Sequence, residues 1–313
     1  NGTLCCINGK SSILQRFDDF LILGNDLKVV FTILRSIKQT VQKLEIIKME
    51  VPSEKQAWPL PKSDYWSTPF AEMLLHHLEL FPGASVLDIA SGHGIPAFHI
   101  AEQVGPDGQV LGLDLHPGQI LRCRSAQGSH LPWLRFAQAD MRALPADLGQ
   151  FDRITGNIAF MFFRPNRFEA LQQLIGFLKP GGQIVLTFPA LGTFDSIWER
   201  VDREMAARGL KKERDALALY IAERPSAKEV RQWLTDLQME HIEVAEWPLE
   251  IESGSGEAFL NHPLLRGGFL DDAYECFEDQ ALANEVMDAV ADDLSSFTPL
   301  LAQRCAFSAW QPE

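Results

Sequence analysis

The chain has 313 residues, 46% of them hydrophobic, enough to bury the core of one large domain or two small ones and too apolar for a disordered segment. Its 42 acidic residues outnumber 28 basic ones, and a formal charge of −14 repels phosphates, so neither a nucleic acid nor an anionic membrane is expected as partner. Five cysteines (Cys5, Cys6, Cys123, Cys276, Cys305) lack any C-x-x-C or Cys/His ligand spacing, which argues against a disulfide framework or structural zinc and for a reducing cytoplasm.

Residues 1–48 differ from the rest, with seven basic and four acidic residues. Leu27, Val30, Leu34, Ile37, Val41 and Leu44 recur three and four apart, as in an amphipathic helix able to form a homodimer. The first methionine, Met49, falls at the compositional break, so 1–48 also reads as an extension not native to the protein. Its most apolar stretch is broken by Asp26 and Lys28 and falls short of the ~18 apolar residues of a spanning helix; neither an integral membrane segment nor a signal peptide is expected.

Residues 49–83 read as a linker and a helix. Pro52, Pro59 and Pro61 exclude one continuous helix over 52–63. A helix is expected from Thr68, with Pro69 at its first position and Phe70, Met73, Leu74 and Leu78 on one face, ending before Pro82-Gly83. Over 84–313 strand-length apolar runs occur at 85–90, 109–115, 134–139, 151–160 and 183–188, separated by segments with room for a helix or compact crossover. That alternation predicts an α/β fold, a mostly parallel sheet with helices on both faces. Beyond it, helices are expected at 194–208, 214–222, 226–237 and throughout 256–301, and strands at 241–250 and 305–310.

The stretch Val86-Leu-Asp-Ile-Ala-Ser-Gly-His-Gly-Ile-Pro96 is a strand ending in a small-residue turn that opens a helix. Small residues admit a ligand close to the backbone, and the free amides of a helix start favour an anionic group. Read as Gly92-x-Gly94-x-x-Ala97, with Asp114 following, it also matches the dinucleotide fingerprint. Three carboxylates weigh the other way. Asp88, inside the first strand end, can take hydrogen bonds from loop amides, whereas dinucleotide fingerprints place an apolar residue there. Asp114 ends the second strand, where it can accept from both hydroxyls of a ribose. Asp140-Met141 ends the third, where a carboxylate can accept from an adenine amine while the thioether packs on the ring. Open parallel sheets bind ligands at these carboxyl ends.

With Val110-Leu-Gly-Leu-Asp114, Ala139-Asp-Met141, Phe151-Asp152, Asn157, Phe160-Met-Phe-Phe163 and Leu178-Lys-Pro-Gly-Gly-Gln183, the chain resembles the class I S-adenosylmethionine-dependent methyltransferases, in particular the ubiquinone/menaquinone-biosynthesis group. The likeness is close over about 64–190. It implies a Rossmann-like, seven-stranded sheet with an antiparallel last strand, and helical additions at 192–238 and 254–302 forming a substrate lid. It also implies S-adenosyl-L-methionine as cofactor. Ala90, Ser91, Gly92 and Gly94 would face its methionine part, Asp114 and Leu115 the ribose, Asp140 and Met141 the adenine, Asn157 the methyl, and Tyr65-Trp66 would close over it. Ala90 stands where the commonest family loop has its first glycine, as in the quinone group.

A small-molecule acceptor, O- or C-methylated and apolar or quinone-like, is the expected substrate. A base is needed only if the acceptor must lose a proton; the candidates are His93, His116, Asp195, Tyr220, His262 and Tyr274, with His262 first and His93 in the loop. Phe160, Phe162, Phe163, Trp198 and Phe269 are candidate pocket walls. Arsenic is disfavoured because the cysteines are not paired. An NAD-dependent dehydrogenase and a non-catalytic cofactor-binding protein of the same fold are the alternatives.

Overall fold

The computed structural model describes residue 60 and residues 64–251, 256–261, 270–293 and 300–313. The chain divides into two units, Asn1–Val51 and Pro52–Glu313. The first, with the 27–44 seam, lies outside the described residues, as do His262 and Phe269.

The second unit is built on one seven-stranded sheet, in the order β3-β2-β1-β4-β5-β7-β6. The strands are β1 (Ser85–Ile89), β2 (Gln109–Asp114), β3 (Leu134–Gln138), β4 (Phe151–Gly156), β5 (Leu178–Pro189), β6 (Glu240–Ile251) and β7 (Leu300–Trp310). All five residues of β1 are buried, as a central strand covered on both faces requires. β1 to β5 are parallel, and β7 runs antiparallel to both β5 and β6. Strand order therefore reverses at β1, with β2 and β4 on either side, and the carboxyl ends of these strands lie along one edge of the sheet.

Helices α1 (Ser67–His77), α2 (Ala97–Val104), α3 (Pro117–Gln127) and α4 (Arg167–Ile175) precede β5, and α5 (Asp195–Ala207), α6 (Lys211–Ala222) and α7 (Ala227–Asp236) follow it. Short α8 (Gly256–Leu260) and α9 (Asp271–Tyr274) and longer α10 (Gln280–Asp293) come before β7. α5, α6 and α8 to α10 share a hydrophobic core with Trp66 and Phe70, forming a helical layer. α7 does not belong to it: Val230 and Leu234 pack into the sheet core, and a capping box of Ser226 and Glu229 fixes its start.

Several expected boundaries move. The first helix begins at Ser67, so Pro69 is its third residue; Asp64 Oδ1 accepts from the amides of Trp66 and Ser67 (2.9 and 2.7 Å) and sets the start. β4 ends at Gly156, not 160, because the chain folds back there: a Cβ on Gly156 would lie under 3 Å from Ala159, Ile89 and Leu186. A single 3-10 turn, Phe160–Phe162, follows. β5 starts at Leu178, since a register shift beside β4 absorbs Pro180-Gly181-Gly182 within the strand. The stretch 256–301 is not one helix; its described residues include three helices, and Leu300 and Leu301 are already strand.

Candidate functional site

β1 leads into a turn in which Ala90, Gly92 and Gly94 have φ of 50°, 50° and 83°. Two glycines meet that demand freely, while Ala90 pays a steric cost for its Cβ. The Ser91 amide donates to the Leu113 carbonyl (2.9 Å), which ties the turn to β2. Gly112 permits the approach: a Cβ there would lie 2.8 Å from Ser91 Oγ and 2.6 Å from the Phe136 ring.

Asp114, nearly buried at the end of β2, holds two loops at once. Its Oδ2 accepts from the Gly92 amide and its Oδ1 from the His116 amide, both at 2.8 Å. Each oxygen keeps acceptor capacity for a further donor. Asp88 plays a different part from the expected one. Fully buried, it takes no loop amide; its Oδ1 accepts from the Thr155 hydroxyl on β4 at 2.7 Å, and its Oδ2 has no hydrogen-bond partner among the described residues. Burial pushes its carboxyl up to about 6.

A cavity of about 420 Å³ opens over these strand ends. Of the expected cofactor residues, Ala90, Ser91, Gly92, Asp114, Leu115, Asp140, Met141 and Asn157 line it, and so does His93. Asp88, Gly94 and Tyr65 do not. Gly94 serves packing instead, since a Cβ on it would lie 2.4 Å from the Phe98 ring. Tyr65 packs half-buried against the helical layer, and its neighbours Trp66 and Ser67 supply the wall.

Asp140 is held by Arg142, whose Nε and Nη2 donate to it at 3.0 and 2.8 Å and keep its carboxyl below the usual range. Asn157 joins two elements: its Nδ2 donates to the Ser67 carbonyl and its Oδ1 accepts from the Thr187 hydroxyl, both at 2.9 Å. Thr187 Oγ1 also accepts from the Ile158 amide (2.9 Å), pinning a β-branched residue at φ 56° on the cavity wall. His93 lies near Arg122 (3.4 Å), and burial followed by that guanidinium pushes its imidazole down, toward the neutral form. Of the candidate aromatic walls, Phe162 lines the cavity; Phe160, Phe163 and Trp198 are core. Met161 and Arg164 complete that end. Trp66, expected with Tyr65 to close over the cofactor, lines the cavity, whereas Ser67, Arg142 and Arg164 carried no signal in the sequence.

Residues 86–182 match the family model described as a methyltransferase domain. That match takes in a methyltransferase domain over about a third of the chain. Over 132 residues it is 34% identical to aklanonic acid methyltransferase DauC of Streptomyces sp. strain C5, covering 41% of this chain and 59% of that one. It is 33% identical over 127 residues to the ubiquinone/menaquinone biosynthesis C-methyltransferase UbiE of Idiomarina loihiensis, covering 37% and 48%. The matched part thus spans about half the length of these relatives. The YcgJ protein of Bacillus subtilis, 17% identical, shares the fold with a TM-score of 0.50 over 78% of this chain and 98% of its own. The methyltransferase domain thus includes β1 to β4, the glycine-containing turn and both cavity aspartates, Asp114 and Asp140.

The cavity residues fit S-adenosylmethionine. Asp114 can receive two hydroxyls without losing its loops, Asp140 can receive an amine, Leu115 and Met141 give apolar surface for a ring, and the two carboxylates suit a cation.

Proposed function

We propose that the protein transfers a methyl group from S-adenosylmethionine to a small apolar acceptor. The observation that carries this reading is Asp114, which fastens the β1 turn and the β2 loop together while facing the cavity. When bound, the cofactor supplies an already activated methyl, so the chain's task is orientation and exclusion of water, an effect worth up to ~7–11 kcal/mol. Asp114 and Asp140 would hold the adenosyl end of the cofactor, and Ala90 to Gly92 would take its methionine part. Asn157, fixed at both ends by Ser67 and Thr187, sets the wall beside the methyl. The Trp66, Met161 and Phe162 side supplies apolar surface for the acceptor. His93, held toward its neutral form, is able to accept a proton from an acidic acceptor.

Relatives named for aklanonic acid and for quinones support an apolar acceptor. Others are named arsenite methyltransferases, but burial pushes the Cys123 thiol up to about 12 and Cys305 above its ordinary range, so neither offers a thiolate at neutral pH. The acidic charge and a cytoplasmic location accord with a small-molecule acceptor, and no described helix is long and apolar enough to cross a membrane. A dehydrogenase is disfavoured by Asp88, an ionisable group where that fold buries an apolar one. Calorimetric titration with S-adenosylmethionine, S-adenosylhomocysteine and NAD tests the assignment: both sulfur compounds should bind and NAD should not. NAD binding alone would reverse it.

A further inference from the structure

Gln119 stands in the first turn of α3 and lines the cavity beside Asp114, Leu115 and His116. Its Oε1 is buried and has no hydrogen-bond partner among the described residues. Its main chain, by contrast, is fixed. The Gln119 amide donates to the His116 carbonyl at 3.0 Å, and the His116 amide donates to Asp114 Oδ1 at 2.8 Å. Two hydrogen bonds thus tie Gln119 to the carboxylate at the end of β2. Because α3 packs on β2 and β3, Gln119 lies at the end of the cavity read as adenosyl, not at the Asn157 end that follows β4.

A buried acceptor without a donor costs stability, and a methionine of similar length and helix propensity would fill this place without that cost. The chemistry of Asp114 indicates what the amide adds. A carboxylate only accepts, so it can take the protons of a vicinal diol but leaves the hydroxyl oxygens without a donor. A carboxamide carries two donors beside its acceptor, and a hydroxyl, itself donor and acceptor, pairs with either amide atom after a half-turn of the group. We propose that Gln119 is a specificity-determining residue for the ribose of the cofactor, holding a hydroxyl whose proton Asp114 takes. The diol is then read from two elements at once, the end of β2 and the start of α3. The inference deepens the S-adenosylmethionine reading of the cavity and rests on it.

The test is calorimetric titration of the full chain with S-adenosylhomocysteine, with the two analogues that each lack one ribose hydroxyl, and with the analogue whose adenine is replaced by hypoxanthine. Gln119→Met deletes the amide and keeps the length of the side chain. It should weaken S-adenosylhomocysteine fivefold or more, yet weaken one deoxy analogue less than twofold, because that ligand already lacks the contact. Gln119→Glu loses the donor and sets a second negative charge near Asp114, so it should bind at least as poorly as Gln119→Met. The free Gln119→Met protein should melt no lower than the unaltered one, a result that a structural role for the amide would not give. Unchanged affinity in Gln119→Met, or an equal loss for S-adenosylhomocysteine and both deoxy analogues, would overturn the proposal. So would a loss that disappears only with the hypoxanthine analogue, which would put the contact on the base. Should Gln119→Met fail to fold, Gln119→Glu against the same four ligands decides on the same terms. Failure of the unaltered protein to bind S-adenosylhomocysteine would remove the cavity reading and this inference with it, whereas binding without the coupling removes this inference alone.

Discussion

Asp114 and Asp140 line the same cavity yet stand in different balances. Asp114 accepts two backbone amides that a ligand need not displace, so Asp114→Ala removes a hydroxyl acceptor and also releases the Gly92 and His116 loops. Affinity for S-adenosylhomocysteine should fall by about 1.5–3 kcal/mol, tenfold or more, by calorimetry. Asp140 must give up part of its Arg142 pairing to bind an amine, so Asp140→Ala should cost less. Unchanged affinity in both folded variants would place the cofactor elsewhere. Asp88 bears on stability instead. Its carboxyl is raised to about 6 chiefly by burial, so the folded state favours the protonated form. That contribution is full below the ordinary carboxylate range near 4 and is lost as pH rises through 6, on the order of 2–3 kcal/mol. Asp88→Asn keeps an acceptor for Thr155 without a charge, and should melt higher than the unaltered protein above pH 7 and show a flatter profile between pH 4 and 7. Parallel melting profiles would mean that the Thr155 hydrogen bond fully offsets the burial.

The junction of β4 with β5 depends on one hydroxyl. Thr187, buried in β5, accepts from the Ile158 amide and donates to Asn157, holding Ile158 at φ 56°, where a β-branched side chain is strained. Thr187→Val keeps the shape and loses both bonds, so stability should drop by about 1–3 kcal/mol in denaturant unfolding, with weaker S-adenosylhomocysteine binding; Thr187→Ser should restore both. Equal behaviour of the two variants would show that packing alone holds the turn. This junction also marks where the sequence stops being legible. Asp114 and Asp140 could be placed because a carboxylate at a strand end is a local signal, and the strand-turn-helix around Gly92 shares that property. Ser67 could not, since it reaches the cavity through a tertiary contact, Asn157 to the Ser67 carbonyl, across 90 residues. The end of β4 at Gly156 and the breaks within 256–301 were hidden for a related reason. An apolar run reads alike whether it continues as a strand, turns back into the core or restarts as a new helix.

Across the whole molecule, the cavity lies where two cores meet. Trp66 and Met161 belong to the core of the helical layer, while Ala90, Ala139 and Met141 pack against that of the sheet, and all five line the cavity. Disturbing the layer should therefore reach the acceptor side first: Trp198 is fully buried there, with its Nε1 bonded to the Thr193 carbonyl, and it touches the layer rather than the cavity. Every described residue of the cavity lies between Trp66 and Arg164, and the sheet begins only at Ser85. A chain beginning at Met49 retains all of these parts. It should keep its melting temperature and bind S-adenosylhomocysteine within about twofold of the full chain, a difference under 0.5 kcal/mol, by scanning calorimetry and titration. The same pair of proteins, compared by sedimentation, tests the seam from Leu27 to Leu44: a dimer that becomes a monomer on truncation assigns residues 1–48 to a homodimer interface. A lower melting temperature without any change of mass would instead show that this segment supports the sheet unit directly.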